Sequence, residues 1–398
     1  MNFVIPFDGT PVVKVPIVFR FRRKSPRSPV PGIAIKNIGR IVSGCVVGVL
    51  VLLTGHSRFV GAQEGGASAR PQGRPAKSVE TSGQEMMTPV TLGSIEKGLE
   101  FLASRQHADG SFGSGSVFQR NVAVTSLCGL AFISAGHTPG RGEYGDVVDR
   151  SIQFILASTR ASGYIIQEES PSHGPMYGHG FATMYLAEVY GMTEREEIRE
   201  KLQKAVKLII QTQNKEGGWR YFPDSNDADL SVTVCQIMAL RAARNAGIFV
   251  PKNTVDRCIE YVQKCQNADG SFRYLADKPS ESSYPLTAAG IVALNSSGVY
   301  EGPELRRSID YLMRALPNPK VVRHELHYFY GQYYSVQAMW QAGGSEWEQW
   351  YPAIRDDLIR KQFSNGSWDD PQICTEYGTA MACIVLQIPN QYIPIFQR

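Results

Sequence analysis

One turn occurs four times in this chain of 398 residues and limits what the chain can fold into. It reads Gln, three residues, Gly, one residue, aromatic, at residues 106–112, 213–219, 266–272 and 362–368. The Asp-Gly, Glu-Gly or Asn-Gly pair inside it supplies a tight turn, because glycine takes a positive φ without a steric cost. The glutamine amide suits the open hydrogen-bonding groups of a helix end, and the aromatic ring packs beside it. Each turn follows a segment of helical period: 95–105, 198–212, 255–265 and 350–361.

After each turn comes a second, more apolar helix with a threonine in register: Thr125, Thr233, Thr287 and Thr379. Two further repeats lack the Gln-aromatic turn but keep the second helix. Residues 177–191 align without gaps to 330–344, and their preceding helices fall at 148–158 and 303–315. Six helix pairs result, spaced by roughly fifty residues. A pair cannot bury its apolar face alone, so neighbours must stack. The second helices carry hardly any charge and belong inside. The first helices carry charge on one face and belong outside. The expected fold is all-α, with two concentric rings of helices closed on themselves over residues 91–398. An open solenoid is the alternative.

Ahead of the repeats lie two segments of different character. Of 41 basic and 37 acidic residues, nine basic and one acidic fall within residues 1–62, which leaves the remainder at −4. That balance argues against a nucleic-acid partner. A basic stretch precedes an uncharged apolar run at 41–54, too short to span a bilayer comfortably but suited to a signal-peptide core. Val60, Gly61 and Ala62 offer a cleavage site, so export to a bacterial periplasm or envelope is expected, with an uncleaved inner-membrane anchor as the alternative. Membrane contact would then run through this segment. Residues 63–90 read as a flexible linker rich in Gly, Ser, Ala, Pro and Gln. Six of seven cysteines follow the signal and show neither a CxxC nor a zinc spacing. Cys128, Cys235 and Cys383 sit in apolar helical stretches as expected free thiols.

The repeated turns, the twelve helices and the stretch GGWRYFPDSNDADLSVT at 217–233 resemble the squalene–hopene cyclase and protein prenyltransferase superfamily. The resemblance implies an α6–α6 toroid. It also implies a place for chemistry. Class II terpene cyclases carry a D-x-D-D motif after a Gly-Gly-aromatic turn, whose middle aspartic acid protonates an alkene or epoxide and starts a carbocation cascade. Asp229 falls at that middle position and Asp227 at the first, while Leu230 replaces the third. Such an acid must stay neutral until used, which burial and a second carboxylate favour. A structural reading stands beside this one. Asn121, Asp229, Ser283 and Thr375 each lie four residues before a register threonine, and all four types are favoured N-caps. Asp227 separates the readings, since a cap does not need it.

Aromatic residues near inner-helix starts complete the candidate site. Trp219, Tyr221, Tyr177, Tyr284, Tyr330, Tyr333, Tyr334 and Tyr377 could line one mouth of the ring, where their faces would accept apolar chains and stabilise cations. The expected ligand is an apolar small molecule or lipid. A prenyltransferase zinc site is not matched, for the Asp-x-Cys pair and its histidine are missing. His324 and His327, spaced to share a helix face near Glu376, are the weak metal candidates. No nucleotide-, flavin- or metal-binding motif is found, so no cofactor is expected. Two function classes follow: a cyclase-like enzyme with Asp229 as acid and Asp227 assisting, or a non-catalytic exported toroid that binds a lipid, peptide or envelope component.

Overall fold

The computed structural model describes residues 83, 85–168, 170, 174–193, 195–278, 282–316 and 327–397. The expected export signal, most of the linker and His324 lie outside them. Twelve long helices form six pairs. The outer members are α1 (Pro89–Arg105), α3 (Gly145–Ala157), α5 (Glu196–Thr212), α7 (Lys252–Lys264), α9 (Pro303–Arg314) and α11 (Gly344–Lys361). The inner members are α2 (Val122–Ser134), α4 (Pro175–Thr193), α6 (Leu230–Asn245), α8 (Tyr284–Ser296), α10 (Tyr328–Ala342) and α12 (Thr375–Gln387). A four-residue helix at Gly115–Phe118 and two 3-10 turns complete the described elements.

The two helix types differ as their compositions require. On α5 the buried residues Ile198, Leu202, Ala205, Val206 and Ile209 make one stripe, with charge elsewhere. On α6 nearly every residue from Leu230 to Ala243 is buried. Each inner helix packs on the next, from α2 through α12, and α12 packs back on α2. The ring therefore closes, and the open solenoid is ruled out.

The repeated turn is what joins one pair to the next. The glutamine amides of Gln106, Gln213, Gln266 and Gln362 donate to backbone carbonyls of Val147, Thr254, Glu304 and Ser94, all within the first two turns of the next outer helix around the ring. The turn glycine lies flat against that same helix. A Cβ on Gly217, which has φ +99°, would stand 2.2 Å from the Arg257 carbonyl oxygen. The register threonine locks the turn to its own inner helix. The backbone N–H of Phe112, Trp219, Phe272 and Trp368 donates to Oγ1 of Thr125, Thr233, Thr287 and Thr379 at 2.9–3.1 Å.

The second repeat keeps this plan with other residues. Gly163, at φ +91°, sits against the Lys204 carbonyl, and the Ile165 N–H donates to Nδ1 of His179. His179 thus takes the threonine's place. Burial holds its imidazole down at about 4, so the ring is neutral.

Several boundaries differ from expectation. Helix α11 begins at Gly344, six residues before the expected start, and carries Pro352 inside it. Helix α1 begins at Pro89 behind the cap Thr88. The toroid reaches back into the expected linker, where the Met86 carbonyl accepts from Arg355. Thr375 is the first residue of α12 rather than its cap; Cys374 is the cap residue, and Asp370 accepts the Gln372 and Ile373 N–H groups nearby. The six described cysteines are free and buried. Among the described residues no helix is long and apolar enough to cross a membrane.

Candidate functional site

Asp229 stands where the third repeat's turn meets its inner helix. Its backbone N–H donates to the Trp219 carbonyl, and its carboxylate oxygen Oδ1 accepts the Val232 N–H at 2.8 Å. The residue is therefore the N-cap of α6, as Asn121 and Ser283 are of α2 and α8. It differs from them in carrying an ionisable group that is fully buried. Oδ2 has no hydrogen bond, and Arg220 Nη1 lies 3.7 Å away. Burial pushes the Asp229 carboxyl up to about 7; the Val232 N–H, Arg220 and the Tyr274 hydroxyl pull it the other way.

Asp227 has a different environment. Its side chain is 60% exposed and pairs with Arg220 Nε at 3.4 Å. Arg220 therefore bridges the two aspartates, and the expected carboxylate pair is replaced by a carboxylate–guanidinium–carboxylate series. The guanidinium also lies over the rings of Tyr221 and Tyr274, at 4.8 and 5.5 Å from their centroids. An exposed anion next to a cation adds little to raising a buried acid's pKa, so desolvation does that work at Asp229.

Tyrosines surround the acid. Tyr177, Tyr221, Tyr274 and Tyr330 all feel the Asp229 charge, on top of the burial that raises each phenol. Tyr177 and Tyr221 lie 6.1 Å apart by ring centroid, and Tyr330 and Tyr334 lie 4.8 Å apart. Tyr334 Oη meets Cys235 Sγ at 3.3 Å, and Tyr377 lies near Tyr330 and Cys235. The inner-helix starts of α4, α6, α10 and α12 thus converge on one end of the ring.

Three expected members stand elsewhere. Trp219 belongs to the turn: it is buried and donates from Nε1 to the Ile209 carbonyl at 2.8 Å. Tyr284 stacks on Trp350 of α11 and bonds Ser335 and Gln332, so it points outward between helices. Tyr333 lies deeper, against Phe181 and Phe396. Arg220 and Tyr274 were not foreseen. Tyr274 follows Phe272 by two residues just as Tyr221 follows Trp219, so superposing the repeats would have found it.

Glu376 and His327 have separate partners. Glu376 pairs with Arg105 at 3.0 Å and accepts from Ser114, while His327, in the left-handed region at φ 63°, faces Asp370 and Gln372. His324 lies outside the described residues. Among those described, no group of three His, Cys, Asp or Glu is placed to hold a metal ion.

A second buried acid lies at the opposite end. Glu188, near the end of α4, is buried with neither carboxyl oxygen hydrogen-bonded. Burial pushes it up to about 8, opposed by the Ile395 backbone N–H. Two hollows are described, and neither touches Asp229. One of about 540 Å³ is open on the outer surface between Phe101 and Phe363; the other, about 20 Å³, lies under the C-terminal segment.

The fold has counterparts among known structures. A type II terpene cyclase, MstE from Scytonema, was solved as a variant in complex with merosterolic acid A. It is 13% identical with a TM-score of 0.55, covering 77% of this chain and 99% of that one. A protein from Actinoplanes is 15% identical with a TM-score of 0.55, over 76% and 99%. An inactive variant of the α-1,6-mannanase GH76A of Salegentibacter sp. HEL1_6, with α-1,6-mannotriose, is 8% identical with a TM-score of 0.54, over 74% and 97%. At these identities the likeness is one of fold, and the same double ring serves carbohydrate and terpene chemistry. No curated protein sequence matches. The family described as "Prenyltransferase alpha-alpha toroid domain" matches residues 96–317. This chain belongs to that family.

Proposed function

We propose that the toroid acts on an apolar, polyprene-like chain by proton transfer from Asp229, in the manner of class II terpene cyclases. The observation that carries this reading is a fully buried carboxyl, raised to about 7 and ringed by tyrosines, at the start of the third inner helix. Asp229 Oδ2 would deliver its proton to one carbon of a terminal alkene. The π pair becomes the new C–H bond, and the cation left on the neighbouring carbon is attacked by the next alkene. Tyr177, Tyr330 and Tyr334 present faces that stabilise such a cation. The final cation loses a proton to water or a base. Asp227 assists by sharing Arg220, which weakens the guanidinium's pull on the Asp229 carboxyl. No cofactor enters this chemistry.

Lipid extracts of cells making the full chain test the reading. Cyclised products should appear with the natural chain and vanish with Asp229→Asn, which preserves the cap. Products that persist in that variant would remove Asp229 from the mechanism.

A second reading is favoured by one observation: the far mouth is filled by residues 391–397. On this reading the ring is a non-catalytic toroid that binds a lipid, peptide or envelope component. Co-purification of one ligand with no cyclic product would select it. The basic and apolar stretches within residues 1–62 support export to the periplasm or cell envelope for either reading, cleaved near Ala62 or kept as an inner-membrane anchor. Sequencing the N-terminus of the fractionated protein decides between those.

A further inference from the structure

At the end of the ring opposite Asp229, the chain lies across its own opening. After α12 and the 3-10 turn Ile388–Asn390, residues 391–397 cross the final turns of the inner helices. Tyr392 packs on Gly136, just past α2, and Ile395 faces Glu188 of α4. The 3-10 turn Pro394–Phe396 packs on α6. Ile395 and Phe396 roof the hollow of about 20 Å³, whose walls include Arg241 of α6, Asn295 of α8 and Gln337 of α10. One short segment thus touches α4, α6 and α10, reaches the turn after α2 and continues from α12.

Two features distinguish this from ordinary packing. The segment sets Ile395 and Phe396, both buried, over a hollow of mixed character, where Arg241, Asn295 and Gln337 stand beside Val292 and Tyr300. Beneath it, Glu188 is buried with neither oxygen in hydrogen-bond geometry, and the donor set against it is the Ile395 backbone N–H of the segment itself. A series of packed rings also leads inward. Ring centroids run from Phe396 to Tyr333 at 6.1 Å, to Tyr334 at 4.9 Å and to Tyr330 at 4.8 Å, which brings the series to the Asp229 end.

We propose that residues 391–397 are an intramolecular occupant of a ligand-binding mouth. An apolar chain ending in a hydrogen-bond donor displaces them, its tail replacing Ile395 and Phe396 and its donor meeting Glu188. This inference does not depend on Asp229 chemistry. The occupant scales apparent affinity down to the fraction of time the mouth stands open.

The test is binding of N-phenyl-1-naphthylamine, an apolar fluorescent probe with one N–H, to the full chain and to a chain ended at Asn390. The shortened chain should bind one probe at least about tenfold more tightly, as removal of a competing closed state requires. A synthetic peptide of residues 391–397 should displace it, and Glu188→Leu in the shortened chain should weaken it. Equal probe binding by the two chains, or no competition by the peptide, overturns the proposal. Should the shortened chain lose its cooperative melt, Ile395→Ala with Phe396→Ala in the full chain decides by the same comparison.

Discussion

Gly366 lies so close to Lys97 that a Cβ on the glycine would stand 2.4 Å from the lysine's carbonyl oxygen. Those two residues belong to the last and first repeats, so their contact is the seam of the ring. Gly366 also holds φ +87°, where side chains are strained. Gly366→Ala should therefore destabilise by roughly 2–4 kcal/mol, combining a backbone penalty with a forced separation. Denaturant unfolding measures it. A change under about 0.5 kcal/mol, the range of ordinary surface substitutions, would mean the seam does not hold the ring.

The register threonines make a second prediction. Thr233→Val keeps the shape but leaves the buried Trp219 N–H without its acceptor. A loss of about 1–3 kcal/mol is expected. Thr233→Ser should recover most of it, because the hydroxyl is what the turn uses. A valine variant as stable as the natural chain, with serine the less stable of the two, would show that shape and not the hydrogen bond matters.

Asp229 makes stability depend on pH in a stated direction. Its carboxyl is raised from 3.8 to about 7, so the folded chain favours the protonated form. The stabilisation is complete below pH 3.8 and falls as pH rises towards about 7, by up to about 1.4 kcal/mol per unit. Asp229→Asn keeps the cap and removes this slope. Unfolding curves at several pH values across that interval should run flatter for the variant; parallel curves would place the ionised form in the folded state.

Glu188 repeats the argument at the other mouth, with its interval from 4.5 to about 8. Folding favours its neutral form, so the benefit present at low pH is lost as pH rises through about 8. Glu188→Gln should raise the melting temperature at pH 9 and leave it nearly unchanged at pH 4. A variant less stable at pH 9 would show that the carboxylate has a partner there.

Much of this architecture is legible in the sequence because the turn is repeated. Gln213, Gly217 and Trp219 recur at a fixed spacing and Thr233 recurs 11 to 15 residues after the aromatic, and the turn aromatic's backbone N–H meets that threonine in every repeat that keeps it. Closure was only implied, since no sequence pattern states that Gly366 meets Lys97. His179 carries no signal as a histidine, but it stands fourteen residues after Ile165 as Thr233 stands fourteen after Trp219, and so replaces a threonine. The site was half legible. Asp229 could be placed at an inner-helix start, but its burial could not be told from Asp227's exposure two residues earlier, because both lie in a non-periodic loop. Arg220 passed unnoticed since arginine after an aromatic reads as surface. Residues 391–397 have no counterpart in the repeats and therefore carried no signal at all.

The seam has a consequence for how the protein is made. Gln362 bonds Ser94 across 268 positions of chain. During synthesis the first outer helix must wait, its inward face uncovered, until nearly the whole polypeptide has emerged. Contacts of such long range form late and slowly, so the earliest part of the ring is the part most in need of shelter on the ribosome.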